Sequence, residues 1–275
     1  MEVSIMRKVA ILFRGAVGKS IGKLCGKGGV NNSRSIEDIY SKSDYVNFYA
    51  VQKSIKRHIL DRNPQYECDF FIHCWNGDIQ DELIDLYKPK KYLFEDNKIY
   101  WDEIRRKIDS CGGVTNEAPF GEVSVSLSIK KGCELLQLYC YENNAHYDLV
   151  FMIRPDYLYW KDMNFDYYNP DIVYGTQYGQ LDGQSHYIMN YNNMCKFKNL
   201  YENLSSYCPP NSHIYMRHYL AGICGLPFKS DYFATGVDHE SVRKLRYNLE
   251  NGTLDASILD RYGLTEEEIY SYYAD

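Results

Sequence analysis

The chain has 275 residues, 45% of them hydrophobic, and carries 37 acidic against 31 basic side chains for a net charge of -6. That length allows one large α/β domain or two small ones, with enough apolar material for a core, and the acidic balance argues against a nucleic-acid partner, which calls for a basic face. Nine scattered cysteines without a C-x-x-C pair argue against a disulfide framework or a structural zinc and fit the reducing cytoplasm.

Lys8 to Arg14 reads as a first strand ending at Gly15. Its apolar stretch is too short for a signal-peptide core and ends in Arg rather than in a small-residue cleavage site. The following Arg14-Gly15-Ala16-Val17-Gly18-Lys19-Ser20 imitates a P-loop. A true G-x-x-x-x-G-K-[ST] motif needs a glycine five residues before Gly18, where this chain has Phe13. The shortened loop leaves too few backbone N–H groups to wrap a phosphate. Arg14 and Gly15 still stand where a ligand-contacting strand end is expected, or they form a plain polar exit from the strand. Cys25 to Arg34 reads as a Gly- and Asn-rich loop.

Tyr45 to Asp61 has a helical apolar spacing stopped by Asn63-Pro64. Cys68 to Trp75 is a second buried strand. His73 and Cys74 should point to opposite faces of it, so no nucleophile–base pair is expected there. Trp75, at its end, offers a face for stacking on a base or sugar, or else plugs the sheet edge. Ile79 to Tyr87 is a short helix and Lys91 to Glu95 a third strand. Asp96 to Lys98 and Cys111 to Phe120 read as loops. Glu122 to Tyr141 is a long helix with Val125, Ile129, Cys133, Leu136 and Cys140 on one face and Ser and Lys opposite. Its start carries Ser124, Ser126, Ser128, Lys130 and Lys131, and a helix N-terminus beside lysines suits a diphosphate. A solvated helix face is the ordinary alternative.

The segment Tyr147 to Trp160 is the most informative. The apolar run Leu149 to Ile153 reads as a strand buried on both faces, and it ends in Arg154-Pro155-Asp156. An Arg at a strand end can fork onto a phosphate and an Asp can hold a hard divalent metal. A surface ion pair closing the strand would look the same. Beyond Trp160 the pattern weakens. Asp171 to Gly175 and Gly183 to Tyr191 look like strands; Asn193 to Leu204 and His213 to Leu220 look like helices. Leu254 to Asp275 suggests two short helices broken at Gly263. Asp182, His186 and Asp238 are candidates for a general base in a group transfer, and Asp238 doubles as a possible helix N-cap.

Taken together, strand-Arg14-Gly15, Asp69-Phe70-Phe71-Ile72-His73-Cys74-Trp75, the Ser/Lys helix and Ile153-Arg154-Pro155-Asp156 resemble a family of glycosyltransferase-like proteins. These are found among bacterial and large-virus surface-glycan genes, including capsule and lipopolysaccharide clusters. The resemblance spans about residues 7 to 190. It implies an A-type glycosyltransferase fold: one α/β domain over 1–275, a Rossmann-like mostly parallel sheet flanked by helices, with a helical C-terminal extension. Residues 7–160 would form the half that binds a nucleotide-sugar donor and 161–275 the acceptor side. By position Asp156 would ligate Mn²⁺ or Mg²⁺. Arg14, Gly15, Trp75, Lys130, Arg154 and Asp156 would line the donor site. Arg154 replaces the first Asp of the family's D-x-D, so an arginine can neutralise the leaving phosphate itself. The implied activity is sugar transfer to a surface polysaccharide or lipopolysaccharide. It would occur in the cytoplasm, with possible peripheral docking to a membrane-bound glycan assembly machinery. The alternatives are transfer of a phospho-type group onto a glycan and a non-catalytic nucleotide- or carbohydrate-binding protein. On this reading Asp156→Ala should abolish metal-dependent donor binding while leaving the fold intact, a strand-end carboxylate contributing little to a core.

Overall fold

The apolar runs read from the sequence become adjacent strands. The computed structural model describes residues 6–17, 46–111, 119–178, 181–204, 216–235 and 238–242, with a few single residues beyond. Strand β1 (Arg7–Phe13) pairs in parallel with β2 (Tyr66–Cys74) on one side and β4 (Leu149–Ile153) on the other, and β2 pairs in parallel with β3 (Lys91–Phe94). The sheet continues through β7 (Leu181–Met189) and β6 (Val173–Tyr178) to β8 (Phe228–Ala234), in the order β3-β2-β1-β4-β7-β6-β8. Only β7 runs against the rest. This is a Rossmann-like, mostly parallel sheet flanked by helices.

Side-chain alternation explains why both faces are covered. Val9, Ile11, Phe13, Ile72 and Phe151 enter one core with Val51 and Ile55 of helix α1 (Phe48–His58) and Leu83 of α2 (Gln80–Tyr87). Ala10, Leu12, Phe71, Val150 and Met152 enter a second core with Ile129, Cys133 and Leu136 of α4 (Pro119–Asn143). Asn47 caps α1 by accepting the Ala50 N–H at 3.0 Å, and Lys88 ends α2 in the left-handed conformation, at φ 46°.

Helix α4 departs from its expected amphipathic pattern. Ser124, Ser126 and Ser128 are buried, not solvated. Ser128 meets His73 of β2 and Ser124 accepts from the Asn97 amide, while α3 (Trp101–Ser110), α5 (Tyr191–Phe197) and α6 (Leu200–Asn203) pack on α4 as well as the sheet does. A helix packed on two sides no longer shows one apolar stripe. Helix α3 carries Ile104 and Ile108 onto the second core and has no counterpart among the elements read from the sequence.

Further differences fall in the second half. The expected 193–204 helix is two pieces, α5 and α6, and the expected 213–220 helix is a π-type turn over His218–Ile223. Strand β8 and a two-stranded sheet of β5 (Tyr157–Tyr159) with β9 (His239–Ser241) were not anticipated. The loop expected at 25–34 and most of the expected C-terminal helices lie outside the described residues. Among the described residues, no helix is long and apolar enough to cross a membrane.

Candidate functional site

The register of the sheet lines up the chemistry. Phe13 is level with Ile72 on one side and Ile153 on the other. One residue further on, Arg14, His73 and Arg154 share one row at the carboxyl ends of three neighbouring parallel strands. Arg14 donates its backbone N–H to Ile153 O at 3.0 Å, and Arg154 donates its own to Ser185 O at 3.1 Å. Open α/β sheets place ligands outside these strand ends. Helix α4 starts at the same edge: Ser128 meets His73 at the end of β2, while Glu142, near the other end of the helix, meets Lys91 at the start of β3.

Two loops form the floor beyond the row. Gly15, at φ +100°, accepts the Trp75 N–H at 3.0 Å, and Asn76 Oδ1 accepts the Val17 N–H at 2.9 Å. Gly15 therefore holds a backbone shape that a side chain resists. Arg14 is a buried arginine, 1% exposed. Trp75 is packed rather than open. Its ring meets His73 edge-on at 4.4 Å and Tyr100 at 5.6 Å.

His73 belongs to a polar network. Its Nε2 lies 3.3 Å from a Glu95 carboxylate oxygen and its Nδ1 2.7 Å from Ser128 Oγ. A carboxylate only accepts, so Nε2 carries the proton and Nδ1 accepts from the serine hydroxyl. Glu95 also receives the Tyr100 hydroxyl and the Lys131 ammonium, the latter at 3.0 Å, and Lys131 reaches Tyr100 Oη at 2.7 Å. Burial works against the charge on Glu95, but the hydrogen bonds from His73, Tyr100 and Lys131 outweigh it and bring its pKa down to about 2. Burial pushes the His73 pKa down, only partly offset by Glu95. Lys131 is held above its usual value: burial opposes its charge, but Tyr100 and Glu95 more than compensate. Glu95 and Tyr100 were not singled out from the sequence. The available signal was Glu95 following the third strand, level with the end of the second.

Lys130, expected at the donor, faces the other way. It pairs with Glu202 and sits over the Tyr201 ring. Its neighbour Lys131 is the lysine that faces the sheet edge.

Arg154 and Asp156 are joined to each other. Arg154 Nε donates to Oδ1 at 2.8 Å and Nη2 to Oδ2 at 2.6 Å, and the guanidinium lies 4.9 Å over the Tyr157 ring. Asp156 is fully buried. Burial opposes the charge on Arg154, yet the Asp156 carboxylate, Tyr157 and the Glu240 carboxylate raise its pKa above the usual value. Glu240, on β9, is a second acidic residue that the sequence reading did not connect to this arginine. Among the described residues, no group of three or more His, Cys, Asp or Glu side chains is placed to hold a metal ion. With both Asp156 oxygens in the arginine fork, the arrangement does not fit a resident Mn²⁺ or Mg²⁺ at this residue.

The three candidate bases are scattered. The side chain of Asp182, on β7 opposite Gln177, lies outside the described residues. His186 is fully buried between the Tyr159 hydroxyl, 3.1 Å from Nδ1, and Asp231, 2.7 Å from Nε2. Among the described residues it is packed as a core histidine. Asp238 precedes a strand, not a helix, so it is no N-cap. It accepts the Ala234 N–H at 2.9 Å and the Lys161 ammonium at 3.2 Å. A neighbouring buried histidine, His239, lies 2.5 Å from Ser185 Oγ and stacks on Tyr159 at 5.3 Å. Burial, with His186 and Lys161 nearby, drives its pKa well below normal.

No protein-family model matches the chain, and no curated protein does. It is similar in structure to the CTP:phosphocholine cytidylyltransferase of Streptococcus pneumoniae, at 10% identity over 89% of this chain and 97% of the other, with a TM-score of 0.43. It is also similar to a nucleoside-diphosphate-sugar pyrophosphorylase from Vibrio cholerae, at 8% identity over 84% and 93%, TM-score 0.42. A third likeness is to mouse xyloside xylosyltransferase 1 in its apo form, at 7% identity over 82% and 84%, TM-score 0.39. At these identities and TM-scores none of them assigns a function or a substrate to this chain.

Proposed function

We propose that the chain is a transferase for a nucleotide-activated donor, and specifically a glycosyltransferase that passes a sugar from a nucleotide-sugar to a surface-glycan acceptor. One observation supports this reading most. Arg14 and Arg154 stand at adjoining ends of two central parallel strands, at the edge where α4 begins. A departing nucleoside diphosphate develops negative charge, and fixed cations at that edge are what such chemistry requires. Arginine suits it because it keeps its charge at any working pH, so Arg154 stays cationic while its fork is held by Asp156.

In this proposal Asp156 orients Arg154 rather than holding a metal, and charge neutralisation falls to the partly exposed Arg154, with buried Arg14 adding its field from beneath rather than a direct contact. No step is routed through a divalent ion. Of the three sequence candidates for the acceptor-side base, sealed His186 drops out and Asp182 and Asp238 are retained. A second reading is a non-catalytic nucleotide- or carbohydrate-binding protein. It is favoured by the engagement of Asp156 with Arg154 and of Asp238 with Lys161.

A thermal-shift screen against nucleoside diphosphates and nucleotide-sugars, each with Mn²⁺, Mg²⁺ or EDTA, tests the proposal. A ligand at about 100 times its Kd stabilises by about 2.7 kcal/mol. A shift with one nucleotide-sugar that persists in EDTA, together with donor turnover, supports the arginine-based transferase. A shift abolished by EDTA overturns the metal-free form of the proposal. Binding without turnover on any glycan favours the second reading, and no shift with any member removes the nucleotide donor.

A further inference from the structure

A cavity of about 390 Å³ opens at the opposite edge of the sheet from Arg14 and Arg154. It lies where β1 and β4 begin and β7 ends, with Arg7, Leu149 and Asn190 in its wall. Its size is within the range of small-molecule sites, roughly 300 to 1,000 Å³.

The lining has no dominant charge to recruit an ion. Its guanidinium, Arg7, is set against Asp166 at 3.9 Å, and Asp148 Oδ2 accepts the Lys8 backbone N–H at 2.7 Å. Asn190, Tyr191 and Asn192 follow one another along the wall. The side-chain amides both donate and accept, the carboxylates accept, and the half-buried Tyr191 adds a flat apolar face. Two carboxylates set against one guanidinium and the exposed His146 imidazole leave no surplus of positive charge for a phosphate or another anion. Donors and acceptors around an aromatic face match a ring that carries hydroxyls on its rim and C–H groups on its faces.

We propose that this cavity is a binding site for a neutral saccharide of one or two sugar units, separate from the strand edge assigned to the donor. It does not depend on the transferase reading, because none of its residues belongs to that edge.

Saturation-transfer NMR on the full chain with lactose, maltose and N,N′-diacetylchitobiose at millimolar concentration tests it, with glucose 6-phosphate as the anionic comparison. We expect at least one disaccharide to bind. Asn192 is exposed on the rim, so Asn192→Trp should fill the mouth without disturbing the core and weaken that binding by about tenfold or more. Tyr191→Ala should do the same, with thermal melting as the control for folding. Arg154→Lys, at the other edge, should leave the signal unchanged. The proposal fails if no disaccharide binds, if Asn192→Trp binds as well as the native chain, if Arg154→Lys removes the signal, or if glucose 6-phosphate is preferred.

Discussion

Arg154 closes two nitrogens of its guanidinium on the carboxylate of Asp156, two residues along the same chain, at 2.8 and 2.6 Å. The pair spans the turn from β4 into β5, and the Asp156 carbonyl goes on to accept the Val242 N–H at 3.0 Å. The turn is thereby tied to the start of β5 and to the end of β9. Sequence reasoning expected Asp156→Ala to be tolerated. The structure reverses that expectation, since the substitution strips a buried partner from a charged group. Removing one member of a buried pair costs about 3–5 kcal/mol. Urea denaturation of Asp156→Ala should therefore show a clear loss of stability with an unchanged slope. An unaltered midpoint would mean that the pair does not hold this turn.

Two adjacent lysines make a contrasting pair. Lys131 and Glu95 have side chains only 16% and 14% exposed, whereas Glu202, the partner of Lys130, is 53% exposed. Exposed pairs contribute about 0–1 kcal/mol and enclosed ones several times that when one member is removed. Lys131→Met should destabilise by the order of 3 kcal/mol and Lys130→Met by under about 1 kcal/mol. Equal losses in a denaturation series would show that the Glu95 network is no more enclosed than the surface pair.

Strands β1, β2 and β4 were legible because each is a short apolar run punctuated by Gly, Asn or Pro, and a largely buried strand needs no alternation; the edge strand β3, only partly buried, was legible from the Pro89 stop before it. Helix α3 was missed since only Ile104 is deeply buried in it and charged residues dominate the rest. Strands β8 and β9 were missed for a related reason. Phe228–Ala234 mixes Lys229, Ser230 and Asp231 into its run, and His239-Glu240-Ser241 contains no apolar residue, although all three are buried. At the site, the sequence picked out Arg14 and Arg154 by their place at strand ends. It could not tell that Asp156 faces back onto Arg154, that Lys131 rather than Lys130 turns to the edge, or that His186 is sealed. Each of those depends on which neighbour a side chain meets across the fold, and spacing along the chain does not carry that.

Gly15 turns the chain at the end of β1 with φ +100°. A Cβ placed there would meet no other atom within 4 Å, so the cost of Gly15→Ala is backbone strain alone. Such strain amounts to about 1–3 kcal/mol. Gly15→Ala should lower stability by that amount, and because the turn carries the bond from Trp75 N–H to Gly15 O, it should also weaken binding of the proposed nucleotide donor measured by titration calorimetry. A stable variant with normal binding would show that Arg14 is placed by the sheet register alone.

Acid should destabilise the fold in two stages, with opposite chemical origins. His73 and His239 are both held below the ordinary histidine value of 6.5 by burial. The unfolded chain takes up their protons first, so the stability they contribute is complete above about pH 6.5 and falls as pH drops below it. The slope is at most about 1.4 kcal/mol per pH unit for each histidine. Glu95 has a folded pKa of about 2 against an ordinary 4.5. Its contribution is complete above 4.5 and is lost as pH falls from there towards 2. Urea midpoints measured from about pH 8 downward should hold level at first, then decline below about pH 6.5 and steepen below about pH 4.5. His239→Gln should flatten the upper stage and Glu95→Gln the lower one. A midpoint that stays level down to about pH 5 would show that these histidines are not buried in the neutral form.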